Sequence, residues 1–299
     1  MHIPDGFLST HVWLGLDAAA AVAVGVVCSR AERGMDQGAA PRLGVLGAFV
    51  FAAQMINFPV AAGASSHLVG GALLTAALGP LAASLVLTAI LAIQALVFQD
   101  GGLLALGANV TNMALAGVLA AWVPLRYLPG KLGLFLGGAA SVFTASSLAI
   151  AELRVSGVGM SPGVLRTALV VFLVSAVIEG LITAAVMGAI VRMNPEWPGA
   201  PRPQGERRVL GVLGVAAVVL GSAGALLASS LPDGLEKLAE NLGISGSAFA
   251  MLSTPLADYE WKWVSNPMLG RVAAGLAGIA IIYVVCRLVG QFMARGKAR

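Results

Sequence analysis

Long apolar segments separated by short polar loops dominate the pattern of this chain. Apolar runs occupy residues 9–29, 42–62, 66–79, 80–98, 103–125, 132–153, 163–192, 209–231 and 268–292. Because a helix needs about 20 apolar residues to cross a bilayer, most of these runs are long enough to span it. The runs are rich in Ala, Gly, Val and Leu and lack alternation, which favours helices over the strands of a barrel. The pattern predicts an all-α, polytopic integral membrane helical bundle.

The run at residues 66–79 is too short to cross a bilayer alone, and Gly79-Pro80 separates it from the next run. Such a short helix is tolerated at membrane depth only where protein or a cavity surrounds it. We expect it to cross, since the orientation described below treats it as a crossing.

Composition supports a membrane protein. The chain of 299 residues is 58% hydrophobic and only 11% charged, with a mean hydropathy of +0.90, whereas soluble domains carry roughly 25% charged residues. The pI near 9.4 does not indicate nucleic acid, because the basic residues fall in short loops between apolar runs. Cys28 and Cys286 lie in or at the ends of apolar runs, where we expect packing residues.

The distribution of Lys and Arg predicts the orientation. If the N-terminus is outside and the runs alternate, thirteen basic residues are inside: Arg30, Arg33, Arg42, Arg126, Lys131, Arg192, Arg202, Arg207, Arg208, Arg287, Arg295, Lys297 and Arg299. Five are outside: Arg154, Arg166, Lys237, Lys262 and Arg271. Cytoplasmic loops carry the excess of positive charge, so we predict the N-terminus outside and the C-terminus in the cytoplasm.

The N-terminus does not have the pattern of a signal peptide. Lys and Arg are absent before Arg30, and Asp17 interrupts the first apolar run. A signal peptide requires a positively charged region followed by an unbroken apolar one. We therefore expect Met1 to be retained in the mature protein.

A proline-rich stretch divides the chain. Residues 194–208 read NPEWPGAPRPQGERR, which predicts a flexible cytoplasmic linker. Seven runs precede it and two follow it. The loop at 232–267 between the last two runs carries Tyr259, Trp261 and Trp263, which we interpret as interfacial anchors.

The first two residues offer three nitrogen donors to a metal ion. The α-amine of Met1 and the amide nitrogen of His2 close a five-membered chelate ring, and that amide and imidazole Nδ1 close a six-membered one. The amide must lose its proton to bind, because its lone pair is otherwise delocalised into the carbonyl. Ions high in the Irving–Williams order can drive this loss, and planar nitrogen sites suit Ni²⁺ or Cu²⁺. Mg²⁺ and Ca²⁺ prefer oxygen.

His67 is the candidate for the fourth donor. It lies in the break between two apolar runs, on the same predicted side of the membrane as the N-terminus. The sequence Pro-Asp-Gly at residues 4–6 favours a turn that returns the first residues to the bundle. His11, at the start of the first predicted helix, is expected to be an interfacial polar residue. From residue types alone, ordinary polar roles for His2 and His67 stay open.

Three features of the first part resemble one transporter family. These are MHIPDGFLS at the N-terminus, His67 after a Gly/Ala/Ser stretch, and GANVTNMALAG at residues 107–117. Together they resemble the substrate-binding component of nickel/cobalt energy-coupling-factor transporters, the NikM/CbiM family. The resemblance covers about residues 1–192.

The second part resembles the small NikN/PDGLE component that accompanies NikM. Its motifs are PDGLE at residues 232–236 and ADYEW at residues 257–261. We therefore predict a metal-binding transmembrane domain at 1–192, a cytoplasmic linker at 193–208 and a two-helix transmembrane domain at 209–299.

The resemblance implies a function and a ligand set. It implies a seven-helix component in which the Met1 amine, the His2 amide and imidazole, and the His67 imidazole hold the ion in a plane. It also implies import of Ni²⁺ or Co²⁺ across a prokaryotic cytoplasmic membrane, with the ion as cargo and no prosthetic group. Separate ATP-binding-cassette ATPases and a transmembrane coupling protein are the implied partners, besides membrane lipids. No ATP site is expected in this chain, because Gly130-Lys131 is followed by Leu132 rather than by Ser or Thr. The resemblance thus implies a transporter subunit and not an enzyme.

Polar residues within the apolar runs leave more than one role open. Ser66, Asn109 and Asn112 are candidates to orient a ligand, although an asparagine can equally bond a neighbouring helix. Asp17 and Glu179 are costly inside a membrane and would mark an ion path in a secondary transporter that works without an ATPase. A cobalt-specific uptake component and a membrane scaffold that binds no metal also stay open as functions.

Overall fold

The computed structural model describes residues 1–32, 38–197 and 203–296. Ten helices of eight or more residues occur in this described part: α1 Thr10–Ala31, α2 Ala39–Gln54, α3 Gly71–Leu78, α4 Pro80–Phe98, α5 Leu106–Tyr127, α6 Gly130–Val155, α7 Pro162–Met193, α8 Pro203–Leu227, α9 Gly234–Leu242 and α10 Pro267–Gly296. By length and composition, seven of them can cross a membrane, namely α1, α4, α5, α6, α7, α8 and α10. The predicted polytopic helical membrane fold is confirmed.

The second helix is shorter than its apolar run. We predicted one segment over residues 42–62, but α2 ends at Gln54, and the chain then forms the antiparallel strands β1 Phe58–Ala61 and β2 Ala64–Ser66. Pro59 disfavours a helical conformation at the residue before it and cannot donate to a helix. Gly63 turns the chain with a φ of 72°. This small hairpin presents the end of β2, and His67 just after it, to the end of the bundle.

Helix α3 is buried inside the bundle. Its eight residues extend about 12 Å, less than half the thickness of a hydrocarbon core. It packs against α4, α5, α6 and α7, and Gly79 reverses the chain into α4 with a φ of 82°. Helix α4 then runs back to the end of the bundle where α3 starts. The contact between His2 and Asp100, which lies just beyond α4, shows this.

A buried carboxylate completes the start of α3. Both oxygens of Glu179, on α7, accept main-chain hydrogen bonds of 2.8 Å, from Val69 and from Gly70. Gly70 is the N-cap of α3 and Val69 precedes it. The first N–H groups of a helix have no partner within it, and the carboxylate satisfies the N–H of the N-cap and the one before it. Glu179 therefore fixes the segment that follows His67.

Helices α8 and α10 form a hairpin that packs against α2. Small residues permit the close approach. A Cβ atom added at Gly47 of α2 would lie 2.8 Å from the Sγ atom of Cys286, which is fully buried in α10. Cys286 and Cys28 are both free thiols, as expected for packing residues.

The linker is shorter than predicted. Residues 203–208 form the first turns of α8 rather than a flexible segment, and residues 198–202 lie outside the described residues. Proline is favourable in the first turn of a helix and acidic residues interact well with its positive end, so Pro203 and Glu206 both support an early start. A further ion pair of 3.3 Å joins Glu206 to Arg42 near the start of α2.

Candidate metal site

The N-terminal segment is folded into the protein. Met1, His2 and Ile3 are 6%, 7% and 0% exposed. The predicted turn is present at Asp5 and Gly6, where Gly6 has a φ of 94° and lies so close to the main chain of the α9–α10 loop that a side chain would not fit. The turn at Asp5 and Gly6, packed against this loop, therefore directs the first residues back into the bundle.

Two side chains hold this segment. The carboxylate of Asp5 accepts hydrogen bonds from the main-chain N–H groups of residues 103, 104 and 105, at 3.0, 2.8 and 3.2 Å, and so completes the start of α5. Asn109, on α5, accepts from the Ile3 N–H at 2.8 Å and donates to the Ile3 carbonyl at 3.0 Å. The Ile3 carbonyl also accepts from the Gly102 N–H at 2.8 Å. The main chain of Ile3, directly after His2, is thereby fixed through both its N–H and its carbonyl.

The α-amine of Met1 meets the imidazole of His67. The amine nitrogen is 2.7 Å from His67 Nε2, and His67 Nδ1 is 2.9 Å from the carbonyl oxygen of Leu68. A carbonyl can only accept, so Nδ1 carries the proton and Nε2 presents its lone pair. Two nitrogens that bind one ion at a right angle, each about 2.0 Å away, are about 2.8 Å apart. The amine and Nε2 are therefore already spaced like neighbouring ligands.

His67 is held in its neutral form. Burial, followed by the positive charge of the Met1 amine and by His2, lowers the pKa of His67 to about 3. A neutral imidazole is the form that binds a metal ion. His67 therefore needs no deprotonation before it can bind an ion at neutral pH.

His2 stacks against His67. The ring centroids are 5.4 Å apart and the ring planes differ by 6°. His2 Nδ1 lies 2.9 Å from Asp100 Oδ1, and His2 Nε2 is buried without a hydrogen-bond partner among the described residues. Chelation through Nδ1 therefore requires the ring to exchange Asp100 for the ion.

Four residues that the sequence analysis did not assign to the site complete it, and Asp100 is one of them. Asp233, at the start of α9, lies 2.5 Å from the Met1 amine. Tyr259 donates from its hydroxyl to Asp100 Oδ2 at 2.5 Å, while Asp100 Oδ1 faces His2. Gln94, in the π-helical end of α4, donates to the Tyr259 oxygen at 3.2 Å. A chain of polar contacts thus runs from the end of α4 to the N-terminal dipeptide.

Carboxylates lie close to the amine and the imidazoles at this end of the bundle. Burial acts to raise the pKa of Asp233, but the Met1 amine and then His67 lower it, and the net direction is downward. Burial likewise opposes ionisation of Asp100, but its contacts with His2 hold its pKa well below the usual range. Burial and the charge of Asp100 raise the pKa of Tyr259, so its hydroxyl stays protonated and donates. Two carboxylates therefore face one amine and two imidazoles.

A cavity of about 280 Å³ adjoins these groups, and its lining includes His2, His67, Asp100, Asp233 and Tyr259. Since a water molecule occupies about 30 Å³ of liquid, the cavity has room for an ion with part of its hydration shell. Both histidines and both carboxylates can be reached from this space.

The remaining candidates lie elsewhere or have other partners. Asn112 donates to Glu152 at 2.8 Å and does not contact the histidines, and His11 is exposed on α1. Ser66 Oγ makes a long contact of 3.5 Å to the carbonyl oxygen of His67. Asp17 accepts from the Gly107 N–H at 2.7 Å, at the start of α5. Asp17 thus serves a helix start, as Glu179 does for α3.

Some of these contacts had signals in the sequence. Asp100 and Asp233 each precede a glycine in a loop at the predicted outer end, FQDGG and PDGLE. Our interpretation of Tyr259 as an interfacial anchor was wrong, because its hydroxyl is bonded inside the site and its ring stacks on Phe98 at 4.8 Å. Trp263, 77% exposed, retains the surface position of an anchor.

Side chains alone do not form a metal cage here. Within residues 1–32, 38–197 and 203–296, there is no group of three or more His, Cys, Asp or Glu residues that could hold an ion. An ion bound at the N-terminus would therefore need main-chain nitrogens together with the two imidazoles.

Apolar helices around a polar pocket at one end, lined by two histidines and two carboxylates among other residues, define a polytopic membrane protein with a candidate small-ion site. The chain belongs to the CbiM family, described as the cobalt uptake substrate-specific transmembrane region, whose model matches residues 2–197. A second model, the PDGLE domain, matches residues 207–295.

Relatives of known description cover both parts. A fused nickel transport protein, NikMN, of Rhodobacter capsulatus is 29% identical over 342 aligned residues, covering 94% of this chain and 95% of that protein. A cobalt transport protein, CbiM 1, of Pelobacter propionicus is 32% identical and covers 69% of this chain and 97% of its own. A crystal structure of a transition metal transporter superposes with a TM-score of 0.59 at 29% identity, covering 66% of this chain and 95% of that one.

Proposed function

We propose that this chain is the substrate-binding component of an ATP-driven importer that captures Ni²⁺ from outside the cytoplasmic membrane. The observation that carries the proposal is the meeting of the Met1 amine and His67 Nε2, 2.7 Å apart, beside His2 in a buried pocket. The full-length likeness to a fused nickel transport protein supports nickel over cobalt.

The proposed ligands are four nitrogens: the Met1 amine, the His2 amide, His2 Nδ1 and His67 Nε2. The first three belong to one dipeptide and form two fused chelate rings, which favours a plane. Asn109 fixes the main chain on the far side of His2 through Ile3, so the dipeptide is held while the imidazole exchanges Asp100 for the ion. Deprotonated amide nitrogen is a strong donor that suits Ni²⁺ and Cu²⁺.

The orientation and the partners belong to the same proposal. With the N-terminus outside, the site end of the bundle faces the exterior, where the ion enters. The energy for uptake comes from separate ATPase subunits and a transmembrane coupling protein. Residues 1–192 form the metal-binding domain, and the two-helix part after the linker contributes contacts from its α8–α10 loop.

The direct test measures Ni²⁺ binding by the purified full-length chain with an unmodified N-terminus, verified by mass spectrometry. We expect one ion per chain, and loss of binding when the amine is acetylated, when one residue is added before Met1, or in His67→Ala. His11→Ala is the matched control, since His11 is exposed on α1 and outside the site. Undiminished binding by the acetylated protein would refute the ligand set.

Transport separates this proposal from an ion-coupled secondary transporter. Reconstituted alone in vesicles with a proton gradient, the chain should not accumulate Ni²⁺. With the coupling protein, the ATPase subunits and ATP, it should. Gradient-driven accumulation by the chain alone would favour the secondary transporter instead.

A further inference from the structure

The loop between α8 and α10 supplies a carboxylate to the N-terminus, and this carboxylate has two separate duties. Asp233 Oδ1 accepts from the N–H groups of Leu235 and Glu236 at 2.7 and 2.8 Å and thereby caps α9. Asp233 Oδ2 is the oxygen that lies 2.5 Å from the Met1 amine. One oxygen therefore fixes the residue to its helix, and the other is left for the amine.

The strand that leads to His67 also holds this loop. Ser65 donates from its N–H to the Pro232 carbonyl at 2.8 Å and from its hydroxyl to the Leu231 carbonyl at 2.7 Å. Ser65 is fully buried and lies two residues before His67. Asp233 and His67 are thus located relative to each other by one short stretch of chain, and the amine lies between them.

A terminal amine is attached by a single flexible chain, and its freedom must be lost when it binds an ion. The Ile3 contacts fix the chain two residues away, but they leave the amine free to rotate. Among the residues that the structure describes, Asp233 and His67 are the two whose side chains form hydrogen bonds with the amine. Of these, only His67 is in the proposed ligand set.

We propose that Asp233 is a positioning residue for metal capture, which holds the Met1 amine at ligand distance from His67 Nε2 before the ion arrives. This inference rests on the proposed function. It gives the two-helix domain at residues 209–299 a direct role in metal capture, although Asp233 is not itself a ligand.

The test compares substitutions at the two ends of α9 in the full-length chain. Asp233→Ser keeps one oxygen that can cap α9 and removes the oxygen that faces the amine, while Asp233→Asn keeps the shape and removes the charge. Gly243→Ala is the matched control. It strains the far end of α9, where Gly243 has a φ of 71°, without touching the amine.

Ni²⁺ affinity is measured by competition with a chelator of known affinity. We expect about a tenfold or larger loss in both Asp233 variants, as befits the removal of a hydrogen bond between charged groups. Gly243→Ala should stay within about twofold of the wild type. The absorption bands of bound Ni²⁺ should keep their positions in Asp233→Ser, because the ligands are unchanged.

Four results would overturn the inference. If both Asp233 variants bind like the wild type while His67→Ala loses binding, the inference fails and the proposed site stands. If His67→Ala also binds like the wild type, the site itself fails. An equal loss of Ni²⁺ affinity in Gly243→Ala would mean that Asp233 acts only by capping α9. Shifted Ni²⁺ bands in Asp233→Ser would make Asp233 a ligand.

Discussion

Replacing Asn109 with leucine should weaken Ni²⁺ binding although Asn109 is not a proposed ligand. Asn109 is 2% exposed and makes both of its hydrogen bonds to the Ile3 main chain. Leucine leaves the Ile3 N–H buried without this partner, at a cost of about 1–3 kcal/mol. The Ile3 carbonyl keeps its bond from Gly102, so the second loss costs only about 0.5–1.5 kcal/mol.

Together these losses amount to about 1.5–4.5 kcal/mol against the docked N-terminus. The apparent Ni²⁺ affinity falls only as far as the fraction of chains with a docked N-terminus falls. The free energy above is therefore an upper bound on the loss of binding free energy. We expect the Ni²⁺ affinity of Asn109→Leu to be about tenfold to a hundredfold lower. The assay is competition with a chelator, with the N-terminus verified by mass spectrometry.

Asn112→Leu is the matched control for this prediction. Asn112 is 3% exposed and lies three residues further along α5, but it donates to Glu152 rather than to the N-terminal segment. It should lose stability without a comparable loss of affinity. Equal losses of affinity in the two variants, or wild-type affinity in Asn109→Leu, would refute the claim that Asn109 holds the N-terminus for metal binding.

Three further substitutions test the supports of the site. Glu179→Gln should destabilise the protein by about 1–3 kcal/mol, because an amide donor then faces one of two buried N–H groups; thermal unfolding in detergent measures this, and an unchanged midpoint would contradict it. Gly6→Ala should cost about 2–4 kcal/mol, since its φ is 94° and a Cβ would collide with the Ser247 carbonyl oxygen; limited proteolysis should then cut the N-terminal segment faster, and wild-type resistance would count against the docked turn. Gly47→Val should separate α2 from Cys286, with a loss of about 1–3 kcal/mol from overpacking; faster labelling of that thiol is the readout, and unaltered labelling would argue against the close contact.

Much of the helical architecture could be predicted from the apolar runs, because a bilayer requires every spanning segment to be long, apolar and internally hydrogen-bonded. The runs at 132–153 and 163–192 became α6 and α7 with ends that differ by a few residues. The end of α2 could not be predicted from hydrophobicity, since the apolar strand β1 continues the run. The signal for the end of α2 was Pro59, because proline interrupts a helix but does not interrupt an apolar pattern.

The candidate site divides in the same way. Met1, His2 and His67 could be named from chelate chemistry and a family resemblance, because the first two are adjacent and the third lies in a marked break. Asp233 and Tyr259 could not be named in this way. Asp233 contacts an amine more than two hundred residues earlier in the sequence, and Tyr259 reaches His2 only through Asp100. No local pattern encodes such contacts. The capping motif at Asp233 predicts the start of α9, but it does not predict what the second carboxylate oxygen contacts.

The central claim is a planar nitrogen site built on the Met1 amine, and the spectrum and magnetism of Ni²⁺ bound to the full-length chain test it most directly. The account predicts one diamagnetic Ni²⁺ per chain, with binding lost after acetylation of the N-terminus. A paramagnetic, octahedral Ni²⁺ spectrum, or a spectrum unchanged by acetylation, would contradict it.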